Sequence, residues 1–166
     1  MCGTRSGFVV DANVLIDFES ADLAILGVFA KKVGPVFVPN AVIENVSAVS
    51  LGDCDRIGLR LIQPNLDQLI EAGENRGRLA FDDWLCLILA RDHTYQCISN
   101  DKALRAECIN CGVSVMWGLE PMLILAAQGE LSCDEAESVA WKIHESNPAF
   151  VTESIIGAFI NKLRGS

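Results

Sequence analysis

Phe8-Val9-Val10-Asp11 is a short apolar run ending in a carboxylate, and Ala12-Asn13-Val14-Leu15-Ile16-Asp17 follows it without a break. Apolar residues at helical spacing over 13–18 and again over 23–30 make this a strand handing over to helices, with Ser20 as N-cap ahead of Asp22. The same succession recurs. Val36-Phe37-Val38 reads as a second strand after the Gly34-Pro35 break, and Gln96-Cys97-Ile98-Ser99 as another, followed by Asn100-Asp101 and a helix over 102–111. Strands alternating with helices imply a parallel sheet covered on both faces, a three-layer α/β/α body. In such sheets functional groups gather beyond the carboxyl ends of the strands, where strand order reverses. Asp11 and Asp101 both fall at such ends, which gives a geometric reason to expect them near each other.

The remaining segments fill in the layers. A short helix carrying Glu44 should follow Pro39-Asn40, and the stretch 47–55 is loop-like and then weakly helical. Residues 59–62 read as an edge strand, and Asn65 caps a helix running to 74 with Leu66, Leu69, Ile70 and Gly73 on one face. A polar turn over 73–77 leads to 82–92, which is apolar almost all round, as a helix buried between layers must be. Residues 113–117 form the last strand. The character changes after Gly129. Ser132-Cys133-Asp134-Glu135 has the capping-box pattern and opens a helix to 146, Asn147-Pro148 breaks it, and an amphipathic helix spans 151–163. The expected organisation is a body over 1–129 with a C-terminal helical hairpin, 130–166, packed on the same domain.

Bulk properties narrow the class. A chain of 166 residues is one domain with a proper core, and 51% hydrophobic against 21% charged residues excludes disorder. No apolar run reaches the roughly 18 residues that cross a bilayer. Residues 1–7 have neither a secretory pattern nor the glycine of a myristoylation signal, so cytoplasmic residence is expected. The seven cysteines suit reduced thiols packed as small hydrophobes, and Cys108-Ile109-Asn110-Cys111 has no second pair to complete a zinc site. The net charge of −9 argues against tight, unaided nucleic-acid binding. Basic residues that could form a local rim are Lys31-Lys32, Arg56 and Arg60, Arg76 and Arg78, and Lys102 and Arg105.

Four acids carry the chemistry: Asp11, Glu44, Asp83 and Asp101. Each lies in or beside an apolar run, where a carboxylate is costly unless its charge is compensated. Drawn together they would repel one another, and a hard divalent cation is the usual remedy. Each also has an ordinary reading. Asp11 and Asp101 could cap helices, Glu44 could be solvated, and either Asp82 or Asp83 could cap the buried helix. His93 and His144 offer no competing catalytic system, and neither a nucleophile elbow nor a Walker A or dinucleotide-binding glycine loop occurs.

Val9-Val10-Asp11-Ala12-Asn13-Val14-Leu15-Ile16-Asp17 resembles the opening motif of PIN-domain nucleases. Pro39-Asn40-Ala41-Val42-Ile43-Glu44 is similar to the family's second motif, and Leu79-Ala80-Phe81-Asp82-Asp83-Trp84 to its third, whose acid falls on Asp83 in register. Ser99-Asn100-Asp101-Lys102 matches its fourth. Ala80 departs from the family's frequent Ser or Thr, and the hairpin exceeds the minimal domain.

The resemblance implies a sheet of order 3-2-1-4-5 and a Mg²⁺- or Mn²⁺-dependent endoribonuclease. Asp11, Glu44, Asp83 and Asp101 would then be the metal-binding catalytic acids, with Asn13 and Ser99 orienting a carboxylate or water. Arg76, Arg78, Lys102 and Arg105 become candidates for contact with RNA. It also implies a VapC-like toxin held by an antitoxin, or a related RNA-processing enzyme, and leaves a homodimer open. Two other readings stay open: a non-catalytic PIN-like scaffold that binds partners, and another Mg²⁺-dependent phosphohydrolase. A haloacid-dehalogenase-like enzyme would want Asp rather than Asn13 two residues after Asp11.

Overall fold

All three residues of β1 (Phe8–Val10) are buried, as an interior strand between two helical layers requires. The computed structural model describes residues 7–75, 77 and 79–165. In it β1 pairs in parallel with β2 (Val36–Pro39) on one side and β4 (Gln96–Ile98) on the other. β3 (Arg60–Ile62) extends the sheet past β2, and β5 (Val115–Met116) past β4, again in parallel. The order is therefore β3-β2-β1-β4-β5, as the resemblance implied, with helices on both faces. Strand succession reverses between β1 and β4, which makes their carboxyl ends the switch point of the sheet.

Parallel neighbours need crossovers, and the helices supply them. α1 (Ala12–Ala21) and α2 (Ala24–Lys32) link β1 to β2. α3 (Asn40–Asn45) and α4 (Leu51–Ile57) lead to β3, and α5 (Leu66–Glu74) and α6 (Phe81–His93) to β4. α7 (Lys102–Asn110) lies between β4 and β5. Six consecutive residues of α6, Leu85 to Ala90, are buried, because the helix packs on β1 and β4 while α5 and α7 flank it. α2 runs so close to α4 that a Cβ on Gly27 would lie 2.3 Å from the Ile57 carbonyl oxygen. Only glycine fits there.

After β5 come α8 (Glu120–Ala127), α9 (Cys133–Ser146) and α10 (Glu153–Arg164). α9 lies along α1, and α10 lies against α8 and α9, so the hairpin packs on the body. Cys54, Cys86, Cys97 and Cys108 are buried thiols, whereas Cys111 faces solvent. No helix among the described residues is long and apolar enough to cross a membrane.

Several local expectations are corrected. Ser20 does not open α2; it lies inside α1, where its hydroxyl donates to the Asp17 carbonyl, and α2 starts at Ala24 with Leu23 as an N-cap that makes no side-chain capping bond. The apolar stripe of α5 does not face the core. Leu66 is 71% exposed, and Leu69 and Ile70 are also exposed, because α5 meets α6 through Gln68 and Ala72. Polar bonds tie that contact: Gln68 Nε2 donates to Asp92, and the Arg91 guanidinium grips both Glu71 oxygens. Neither Asp82 nor Asp83 caps α6, whose N-cap is Ala80; both acids occupy its first turn, where the helix dipole favours negative charge. α8 went unrecognised in the sequence. It is apolar on all sides, since α2, α9 and α10 surround it, and so shows no helical alternation.

Candidate active site

Asp11 follows β1 directly, and Ser99 and Asp101 follow β4. The pairing of Val10 with Ile98, continued by the bond from the Asp11 amide to the Ile98 carbonyl, brings those two chain ends together. Asp11 is only 1% exposed. Its Oδ1 accepts the Val14 amide at 2.8 Å, capping α1, and its Oδ2 accepts the Ser99 hydroxyl at 2.5 Å. Ser99 Oγ in turn accepts the Asp101 amide at 3.0 Å. Asp101 caps α7, its Oδ1 taking the amides of Ala103 and Leu104 at 2.8 and 3.1 Å. The ordinary reading of both residues as caps is thus correct, and it occupies only Oδ1 of each.

Burial drives the Asp11 carboxyl from its ordinary value of 3.8 up to about 7. The bonds from Ser99 and Val14 restrain the rise, while the charges of Asp83 and Asp17 add to it. Asp83 is raised too, first by burial and then by the charge of Asp101, with the Ala80 amide opposing. Asp11, Asp83 and Asp101 therefore form one electrostatically linked group around the switch point. Asp82, by contrast, accepts a hydrogen bond from Asn45 Nδ2 on α3 at 2.9 Å. Asp82, whose charge also raises Asp83, thus ties α3 to α6, while the charge of Asp83 acts on Asp11.

Glu44 lies on α3 and is exposed. Its side chain makes no hydrogen bond or ion pair among the described residues. The side chain of Asn13 is likewise exposed and makes no hydrogen bond among them. Among the described residues no three His, Cys, Asp or Glu side chains are gathered tightly enough to form a ready-made metal site. Of the basic candidates, Lys102 is exposed on the first turn of α7. Arg105 is half-buried, stacked 3.5 Å over the Trp117 ring and donating to the Ser99 carbonyl. Arg56 pairs with Asp53 and Lys32 with Glu130. Arg76 and Arg78 lie outside the described residues.

Sequence reasoning passed over three residues beside this site. Asp17 is 4% exposed, and Asn147 donates to its Oδ1 at 3.0 Å. Burial raises its carboxyl to about 6, with the side chains of Asn147 and Asn100 opposing. A signal was present: Asp17 falls on the stripe of Val14 and Phe18, where α1 meets the core. Beside Asn100 opens a cavity of about 190 Å³ lined largely by apolar groups, among them Trp117, Leu119, Leu123, Ile155 and Phe159, with Glu120 and Lys162 also on its walls.

No family model matches the chain, and no curated protein matches it. Among solved structures it is similar to a PilT N-terminus (PIN) domain protein, SSO1118, from the hyperthermophilic archaeon Sulfolobus solfataricus P2. The match has 11% sequence identity, covers 76% of this chain and 94% of that one, and gives a TM-score of 0.54. The likeness is one of fold.

Proposed function

We propose that the protein is a Mg²⁺- or Mn²⁺-dependent endoribonuclease of VapC-like type. The observation that supports this most strongly is the buried Asp11 carboxylate at the switch point of a PIN-type sheet, electrostatically linked to Asp83 and, through it, to Asp101. The donor chemistry suits a hard cation. Mg²⁺ is commonly held by one or two carboxylates, with waters and phosphate oxygens filling the other positions, so it needs no preformed cage of three. Asp11 and Asp83 are the first candidates to hold it, with Asp101 beside them. Glu44, exposed on α3, completes the acidic set in this reading. When bound, the cation acts as a Lewis acid on the phosphate and makes water a competent nucleophile.

The chain's own residues prepare this chemistry. Ser99 fixes the rotamer of Asp11, and the capping bonds fix Asp101, so two carboxylates are held before substrate arrives. Hydrolysis joins a water oxygen to phosphorus and breaks the bond to the leaving ribose oxygen. The cavity beside Asn100 suits a base next to that phosphate, since single-stranded RNA is bound by stacking on aromatic side chains. The net charge of −9 fits a modest overall affinity, with Lys102 as a local contact. An antitoxin protein is the expected partner of a toxin of this type.

The test is metal-dependent cleavage of single-stranded RNA by wild type and Asp11→Asn. Cleavage by wild type alone supports the assignment, and equal cleavage by both rejects it. A second reading, a PIN-like scaffold, draws on the exposed Leu66, Leu69 and Ile70 face of α5, which offers an apolar surface to a protein partner or a second copy. Folded, Mn²⁺-loaded wild type that cleaves no RNA would favour it.

A further inference from the structure

β4 and β5 stay joined beyond the ends of both strands. The Ser99 amide donates to the Met116 carbonyl at 3.0 Å, and the Gly118 amide donates to Asn100 Oδ1 at 2.8 Å. Trp117 lies between Met116 and Gly118, so its backbone is bonded to the β4–α7 turn on either side. The same turn holds Ser99, whose hydroxyl donates to Asp11, and Asp101, the cap of α7. Arg105, on α7, adds a side-chain link between the two. Its Nη1 donates to the Ser99 carbonyl at 3.2 Å, and its guanidinium carbon lies 3.5 Å from the centre of the Trp117 ring. Trp117 lines the cavity beside Asn100, whereas Arg105 does not. The guanidinium therefore backs the indole from outside the cavity.

Lys102 and Arg105 are both cations of α7, but only Lys102 is free to meet a phosphate as a point charge. It is exposed, while Arg105 is half-buried, its flat face spent on the indole and one N–H on a carbonyl. A planar guanidinium can stack and donate in its own plane at once, which an ammonium cannot. Burial lowers the Arg105 guanidinium from its ordinary value, and the charge of Glu120 opposes that. We propose that Arg105 is a positioning residue and not a phosphate contact: it anchors Trp117 to the Ser99 carbonyl and so fixes the aromatic wall of the cavity in register with the turn that carries Ser99 and Asp101. The consequence for RNA rests on the nuclease reading; the anchoring of Trp117 does not.

Two measurements on metal-free protein separate these. With Trp84 and Trp141 replaced by Phe, Trp117 is the one remaining tryptophan, and acrylamide quenching of its fluorescence reports how much of the ring is covered. Arg105→Ala should raise the quenching constant by about twofold as the second face of the ring opens. Arg105→Met, whose side chain covers the ring without a charge, should restore much of the protection; both residues suit a helix, so α7 is kept. Unchanged quenching in Arg105→Ala overturns the anchoring. The second measurement is affinity for a labelled single-stranded RNA, read by fluorescence anisotropy over a range of salt. Arg105→Ala should weaken binding by about 5-fold, the low end of the loss of a stacked base, at the wild-type salt slope. Arg105→Met should bind more tightly than Arg105→Ala, again at that slope. Lys102→Gln calibrates the alternative, since loss of one phosphate contact should lower the slope by about 0.7. A slope lowered by about 0.7 in both Arg105 variants, with Met no better than Ala, overturns the positioning role. Absence of RNA binding by wild type would instead count against the nuclease reading, and quenching would still decide the anchoring.

Discussion

Replacing Asp11 with Asn should make the metal-free protein more stable while abolishing its metal-dependent activity. The sign follows from the direction of the shift. The folded protein holds the Asp11 proton up to about pH 7, whereas the unfolded chain releases it near the ordinary 3.8. Between those values the native state binds more protons, so stability falls as pH rises through the window and the full penalty is present above about 7. At about 1.4 kcal/mol per pH unit, the penalty reaches roughly 4 kcal/mol. Asn is isosteric and neutral. Its Oδ1 can keep the Val14 amide, and its amide group can donate to Ser99 Oγ, which has acceptor capacity beyond the Asp101 amide it already receives. Allowing for imperfect geometry in that exchange, the net gain at pH 8 should be about 2 kcal/mol, or roughly 4–8 °C in melting temperature for a chain of this size. Thermal melts followed by circular dichroism in EDTA at pH 5 and pH 8 provide the assay. The gap between variant and wild type should vanish or reverse at pH 5, where most of the wild-type Asp11 is protonated and about two pH units of the penalty are gone. Mg²⁺ should raise the melting point of wild type at pH 8 and leave the variant unmoved. A variant less stable than wild type at pH 8, or a gap independent of pH, would refute the reasoning.

Ser99→Ala strips Asp11 Oδ2 and the Asp101 amide of their shared partner. Mn²⁺ affinity and cleavage rate should each fall roughly 10–100-fold, measured by titration and by RNA turnover. Trp117→Ala removes the aromatic wall of the cavity beside Asn100, so KM for single-stranded RNA should rise about 5- to 100-fold, in line with roughly 1–3 kcal/mol per stacked base, while kcat changes little. Gly27→Ala drives a methyl group into the Ile57 carbonyl and should destabilise the fold by about 2–3 kcal/mol in urea unfolding, with RNA cleavage per folded molecule unaltered.

The sheet was legible because its central strands are buried on both faces: Phe8 to Val10 and Cys97-Ile98 have no room for polar residues, so their apolar runs and terminal acids stand out. The same burial hid α8, whose apolar residues show no alternation to read. Periodicity also identified a face on α5 without saying what covers it, and the structure leaves Leu66, Leu69 and Ile70 to solvent. Within the site, register singled out Asp83, and the Asn45–Asp82 bond explains why the two adjacent acids differ. Asp17 lies on the buried stripe of α1 with Val14 and Phe18, so its place was legible, but its partner Asn147, 130 residues away, left no local pattern.

The acids of this site are tolerated by the fold before any cation arrives, and the reason lies in the helices around them. Asp11 caps α1, Asp101 caps α7, and Asp83 sits in the first turn of α6. Three helix N-termini therefore meet the same acidic group, each contributing unpaired amides and the positive end of its dipole. Capping and the proposed catalytic role are thus not competing explanations of these residues. The cap bond takes Oδ1 of Asp11 and Asp101 and turns each carboxylate into a fixed direction, which a cation could then use without first ordering the side chain. The compensation is incomplete at Asp11, where burial outweighs the two hydrogen bonds and leaves the carboxyl near 7. That residual penalty is what a divalent cation would remove. A site already neutral in its own right would gain less from binding one.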